Sequence, residues 1–127
     1  MERHYVLSAL GYGLLGLVLG LYMSTSGQHQ QLVTHAHIML VGFLLGFAYA
    51  LLHRLWLEAP QPSWARLQFA LHQLGAPLLF IGLFLLYGGW VPESLLGPVL
   101  GLASALIIAA LGLMTWLFVR QPQAGSG

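Results

Sequence analysis

Two histidines two residues apart, His35 and His37, open an apolar run that reads Ile38-Met39-Leu40-Val41-Gly42-Phe43. An imidazole gains nothing from a hydrocarbon environment: its ring nitrogens must find partners or lose hydration at a cost. Ionisable residues in such a place therefore mark a functional site by default. On a helix, positions i and i+2 are separated by about 200°, so the two rings face opposite ways and cannot readily chelate one ion together. Neutral imidazole is a general ligand for iron, copper and zinc. The chain contains no Cys. Disulfides, Cys-zinc sites, iron–sulfur clusters and thiol nucleophiles are thereby excluded. Its remaining chemistry rests on six His, three acidic residues and four Arg, with Met and Tyr as softer or weaker donors.

The residues that must position these histidines are those of a membrane protein. Of 127 residues, 58% are hydrophobic and 6% charged, with mean hydropathy +0.81. Soluble domains carry roughly 25% charged residues. The net charge of +1 supplies no basic patch, so nucleic acid is not an expected partner. Four runs are long enough to cross a bilayer, which takes about 20 residues. They cover Tyr5 to Met23, Leu32 to Trp56, Trp64 to Tyr87 and Leu95 to Phe118. Turn chemistry separates them at Ser24–Gln28, Ala59–Ser63 and Gly88–Pro92. The expected fold is all-α, a single domain over 1–120 forming an integral membrane four-helix up-down bundle, with a polar disordered tail at 121–127.

Arginine orients the bundle. Arg3 precedes the first span, Arg54 ends the second, Arg66 begins the third and Arg120 follows the fourth. Antiparallel neighbours would bring all four to one face, which the positive-inside rule makes cytoplasmic. The expected location is a bacterial inner membrane, multi-pass, with both termini inside. His29, His35 and His37 then lie at the outer face and His4 and His53 at the inner one. His72 lies roughly 12 Å in from the inner end of the third span. His53 and Arg54 suit a helix C-terminus, where cations favour the dipole. On the second helix Gly42, Gly46, Tyr49 and His53 fall within about 40° of His35. Such a glycine groove admits either a neighbouring helix or the flat face of a porphyrin. The first and fourth spans repeat the small-residue pattern at Gly13, Gly16 and Gly20 and at Gly97, Gly101 and Ala105. With grooves on three helices, a homodimer is expected.

The stretch from Thr34 to Trp56, THAHIMLVGFLLGFAYALLHRLW, resembles the tenth transmembrane helix of the catalytic subunit of heme–copper oxidases. It is most similar to the cytochrome c oxidase and nitric oxide reductase branch. In that family an H-x-H opens the helix near the outer face. Its first histidine serves the high-spin heme and its second the low-spin heme. The following run, ARLQFALHQLGAPLLFIG, resembles the next helix of the family, with Gln68 and His72 at its two histidine positions. The copper-site histidines, their cross-linked tyrosine and the helix with the other low-spin ligand have no counterpart here. The resemblance thus implies heme binding without oxygen or nitric oxide reduction.

The leading expectation is a small heme b protein for electron transfer, sensing or heme handling, with a redox partner or a respiratory oxidase as its associate. His35, His37 and His72 are the candidate ligands and Gly42 and Gly46 the candidate porphyrin surface. An extracytoplasmic copper site drawn from His29, His35, His37, Met23 and Met39 is the alternative, and a structural or assembly module without cofactor a third. His72 differs from the pair by roughly 10 Å in depth and makes a poor opposite ligand. His35 or His37 would instead be joined by His29 or by a second copy. The glycine face favours His35, and the resemblance favours His37, which is the ligand expected here. The topology has a direct test. A C-terminal alkaline phosphatase fusion is expected to be inactive in a bacterial host, and activity there would place the termini outside.

Overall fold

In a computed structural model, residues 2–57 and 62–121 are described. They form four long helices and, among the described residues, no strand: α1 Glu2–Ser26, α2 Leu32–Leu55, α3 Pro62–Tyr87 and α4 Glu93–Val119. Each is long and apolar enough to cross a membrane. The boundaries lie within a few residues of those expected from hydropathy, because charge in the apolar runs is confined to their ends, at Arg54 and Arg66. The expected break at Ala59–Gln61 and the tail at 122–127 lie outside the described residues. Large apolar side chains face outward along every helix, including Leu14, Leu74 and Ile108. A solvent of hydrocarbon, not water, suits such a surface.

Glycine brings α1 against α2. A Cβ at Gly13 would meet the Phe43 ring at 2.7 Å, one at Gly16 would collide with the Met39 sulfur, and one at Gly20 would touch His35 Cε1 at 3.0 Å. From the other side, a Cβ at Gly42 would meet Tyr12 Cβ at 2.7 Å and one at Gly46 would meet Ala9 Cβ at 3.3 Å. The partners of 20, 16, 13 and 9 are thus 35, 39, 43 and 46, a reversed register. The α3–α4 contact also runs in reverse, with Gly75 against Ala103 to Ile107 and Gly82 against Leu100. By contrast, α1 and α3 touch in the same sense, Tyr5 to Gln68 and Tyr12 to Phe80.

Within α2 the hydrogen bonding widens over Ile38–Leu45 into a π-helical segment, beginning directly after His37. Segments of this kind are uncommon and often accompany functional sites. The sequence reading, laid out on an even 100° wheel, did not anticipate it. Two apolar cores hold the bundle. One at the arginine-bearing end gathers Tyr5, Tyr49, Ala50, Met114 and Leu117, and the other gathers Ile38, Leu79, Phe80, Leu83 and Ala103.

The open glycines provide a control for the tight ones. Gly97 and Gly101 on α4 have no heavy atom within 4 Å of an added Cβ. Gly42→Val is therefore expected to destabilise the protein by about 1–3 kcal/mol through overpacking against Tyr12. Gly101→Val should stay within about 0.5 kcal/mol of the parent monomer fold. Denaturation in mixed detergent micelles, followed by circular dichroism, measures both.

Candidate functional sites

The histidines divide into two groups along α2. His35 and His37 stand at one end of the helix. Gly46, which faces His72, lies nine residues beyond His37, roughly 13 Å along the axis.

At the His35 end of α2, both rings of the pair are oriented by backbone carbonyls. His35 Nδ1 lies 2.8 Å from the carbonyl oxygen of Gly16 on α1, and His37 Nδ1 lies 2.8 Å from that of Val33 in its own helix. A carbonyl can only accept, so each Nδ1 carries the proton and each neutral Nε2 keeps its lone pair. This is the tautomer that metal-binding histidines adopt when a second group holds the far nitrogen. The two rings differ in surroundings. His35 lies in the α1–α2 seam, its ring over Gly20. His37 is half-buried and, two residues on, lies about 200° round the helix from His35. His29 is exposed, with Nδ1 3.2 Å from the Gly27 carbonyl. Gly27 itself turns the chain at φ 72°, a conformation glycine adopts without strain.

Gly42 and Gly46, candidate porphyrin surface by sequence, face Tyr12 and Ala9 of α1. In this structure helix packing fills that groove. Among the described residues no three His, Cys, Asp or Glu side chains come together as a metal-ion chelate.

The arginine-bearing half holds a polar cluster built on three helices. Tyr5, Tyr49, Gln68 and His72 are all fully buried. The Tyr5 hydroxyl donates to Gln68 Oε1, and Gln68 Nε2 donates to the Ala110 carbonyl at 3.2 Å. Tyr5 stacks on His53 at 5.7 Å between ring centroids, and Tyr49 meets His72 edge-on at 5.1 Å. About two turns along α1 from Tyr5, Tyr12 donates to Gln73 Oε1 at 2.9 Å, and Gln73 Nε2 donates to Ser8 Oγ at 2.9 Å. Four buried side-chain atoms among the described residues have no hydrogen-bond partner: Tyr49 Oη, His53 Nε2 and both nitrogens of His72. All belong to this one cluster. Such a concentration is unusual, because an unpaired buried polar group costs about 1–3 kcal/mol.

Sequence reasoning singled out His72 and its neighbour Gln68 but missed Tyr5 as the centre of the cluster. The available signal was Tyr5, Ser8 and Tyr12 at i, i+3 and i+7, a polar stripe on an otherwise apolar span. No protein-family model, curated protein or solved structure matches the chain.

The Tyr5–Gln68 pair makes a clean test of the cluster. Gln68→Leu strands the Tyr5 hydroxyl and is expected to cost about 1–3 kcal/mol. Adding Tyr5→Phe removes the stranded group and should restore most of that loss. Unfolding in mixed micelles of the two single variants and the double variant measures the coupling.

Proposed function

We propose that the protein is a membrane heme b protein whose iron is held by His37, serving electron transfer, sensing or heme handling and not oxygen reduction. The observation that carries this reading is the fixed tautomer of His37. Its Nδ1–H is spent on the Val33 carbonyl, which leaves Nε2 as the acceptor of the neutral ring, and its place two residues from His35 sets it about 200° round the helix from the ring that enters the α1–α2 seam. His35 has the same tautomer, yet its ring lies over Gly20, and Gly42 and Gly46 beneath it are covered by Tyr12 and Ala9. A porphyrin lying along the His35 face would have to displace α1. The donor set thus fits heme at His37 and fits it poorly at His35. The likeness of the H-x-H helix to heme–copper oxidases supports the same assignment. A bound heme would supply one-electron redox chemistry. The chain supplies orientation of the ring through Val33 and an apolar flank from residues such as Leu40 and Leu44.

The second axial nitrogen would come from His29 or from a second copy of the chain. The homodimer belongs to this reading, and the uncovered Gly97, Gly101 and Gly112 on α4 are the surface that would permit close association. The bundle reads as up-down with both termini cytoplasmic. The reversed registers of α1–α2 and α3–α4 support it, as does the 3.2 Å ion pair between Glu2 and Arg54. Trp64 packs on Trp116 at 5.2 Å, and Arg120 lies over the same ring at 4.5 Å. Aromatic and basic residues from the start of α3 and the end of α4 thus mark one interface, as an inner-membrane orientation needs.

Expression with heme supply and absorption spectroscopy of the purified protein tests the proposal. A Soret band with sharp reduced α and β bands is expected in the parent protein. His37→Ala should lose at least tenfold of the bound heme, while His72→Ala and His35→Ala keep most of it. Heme lost from His72→Ala alone, with His37→Ala unaltered, would move the site to the inner cluster. A copper signal in place of a Soret band would instead favour the donor set His29, His35, His37, Met23 and Met39.

A further inference from the structure

The α1–α3 contact is confined to one half of the bundle. Tyr5 and Gln68, then Tyr12 with Gln73 and Phe80, tie these helices together over the inner half. Beyond Tyr12 the two helices part, and a cleft of about 660 Å³ opens between them, floored by Thr34 and Ile38 of α2. That volume is typical of sites for small organic ligands. The cleft opens sideways, since Val18 and Ile81 on its two rims are 64% and 60% exposed where hydrocarbon is expected.

Its two ends differ in chemistry. The body is walled by aliphatic and aromatic side chains, including Leu15, Val18, Ile81 and Phe84. The end nearer the His29 turn carries Tyr22, Gln28, Gln30, Gln31 and Thr34. Two of these are committed to the fold: Thr34 Oγ1 donates to Gln31 Oε1 at 2.7 Å, and Gln31 Nε2 donates to the Phe84 carbonyl at 2.9 Å. That pair ties α2 to α3 and makes a rigid floor. Gln28, Gln30 and Tyr22 remain for a ligand; the Tyr22–Gln28 contact, at 3.5 Å, is too long to be a strong bond. Among the described residues no Asp, Glu, Lys, Arg or His lines the cleft, so no charged side chain of that lining complements a phosphate. Primary amides and a phenol instead match carbonyl and hydroxyl groups. Trp90 stacks on Phe84 at 5.2 Å and 29° and is itself largely exposed, so a flat aromatic surface stands at the lip. Gly88 lies beneath that indole, where any Cβ would collide with it.

We infer that this cleft binds a membrane-soluble quinone. The planar ring would lie against the Phe84–Trp90 pair, its carbonyl oxygens would accept from the Gln28 and Gln30 amides, and its apolar tail would leave between Val18 and Ile81 into the bilayer. An uncharged polar end, an aromatic lip and a lateral exit together fit an uncharged ring on a long hydrocarbon tail better than a phospholipid, whose phosphate would meet no cation. The inference does not depend on heme at His37.

A short-chain benzoquinone carrying a photoreactive azide, added to the full chain in phosphatidylcholine nanodiscs, supplies the test. Mass spectrometry is expected to find the label within 15–22 and 81–90, and an excess of decyl-benzoquinone should remove it. The rim variant Val18→Phe with Ile81→Phe, which adds bulk only at bilayer-facing positions, should cut labelling at least tenfold. Gln28→Leu with Gln30→Leu should cut it several-fold while circular dichroism stays unaltered. Label spread over bilayer-facing residues of α4, or labelling indifferent to the rim variant, would overturn the site. Displacement by oleyl alcohol as effective as by decyl-benzoquinone would show a cleft for plain hydrocarbon chains and overturn the quinone assignment.

Discussion

The close approach of α1 and α2 is the constraint on which the other features depend. Water contributes no hydrophobic force between helices within a bilayer, so association relies on van der Waals contact and on polar groups that find partners. Glycine supplies the contact here. With Gly13, Gly16 and Gly20 on one helix and Gly42 and Gly46 on the other, the backbones close far enough for the Gly16 carbonyl to reach His35 Nδ1. Since His35 is drawn into the seam, His37, two residues on, is turned out of it. The same approach brings Tyr5 against Tyr49 and His53. With α1 held to α2 along its length, α3 meets α1 only over the arginine-bearing half, and the cleft at the other end is the space left over.

The bundle treats its polar groups in two ways. Near the His35 end of α2 they are matched: Gln31, Thr34, His35 and His37 each have a defined partner, two of them tying helices together. In the arginine-bearing half, Gln68, Gln73, Ser8, Tyr5 and Tyr12 are matched across helices, but Tyr49, His53 and His72 are not. A neutral imidazole always presents one donor and one acceptor, so His72 leaves both unmet within the protein. Groups in that state need ordered water or a change in side-chain position to be satisfied.

Much of the helical frame was legible in the sequence, because spans of hydrocarbon-compatible residues admit few other structures. Gly42 and Gly46 were legible as a groove, but their occupant was not. Whether helix or cofactor fills such a groove depends on which neighbour arrives, and the periodicity of one helix does not encode that. His35 and His37 were recognisable as opposed rings from spacing alone. Their tautomers were not, since the Gly16 carbonyl comes from another helix. The inner cluster needed α1, α2 and α3 aligned in depth before Tyr5, Tyr49 and His72 could be seen as neighbours. The outer cleft left no sequence signal at all, being the consequence of two helices diverging.

The wide segment at Ile38–Leu45 acts as a phase setter between the two ends of α2. A π-helical stretch accommodates more residues per turn than an α-helix, so it fixes the rotation of the histidine end relative to the end bearing Gly46, Tyr49 and His53. Were this segment to tighten into α-helix, with the inner end still clamped against Tyr5, the outer end would turn by up to about 100° for each residue of slip. Thr34 or Ala36 would then occupy the place His35 takes opposite Gly16. His37 would no longer point where it does. The direction of the His37 imidazole is thus encoded in eight residues of backbone geometry that carry no polar side chain of their own.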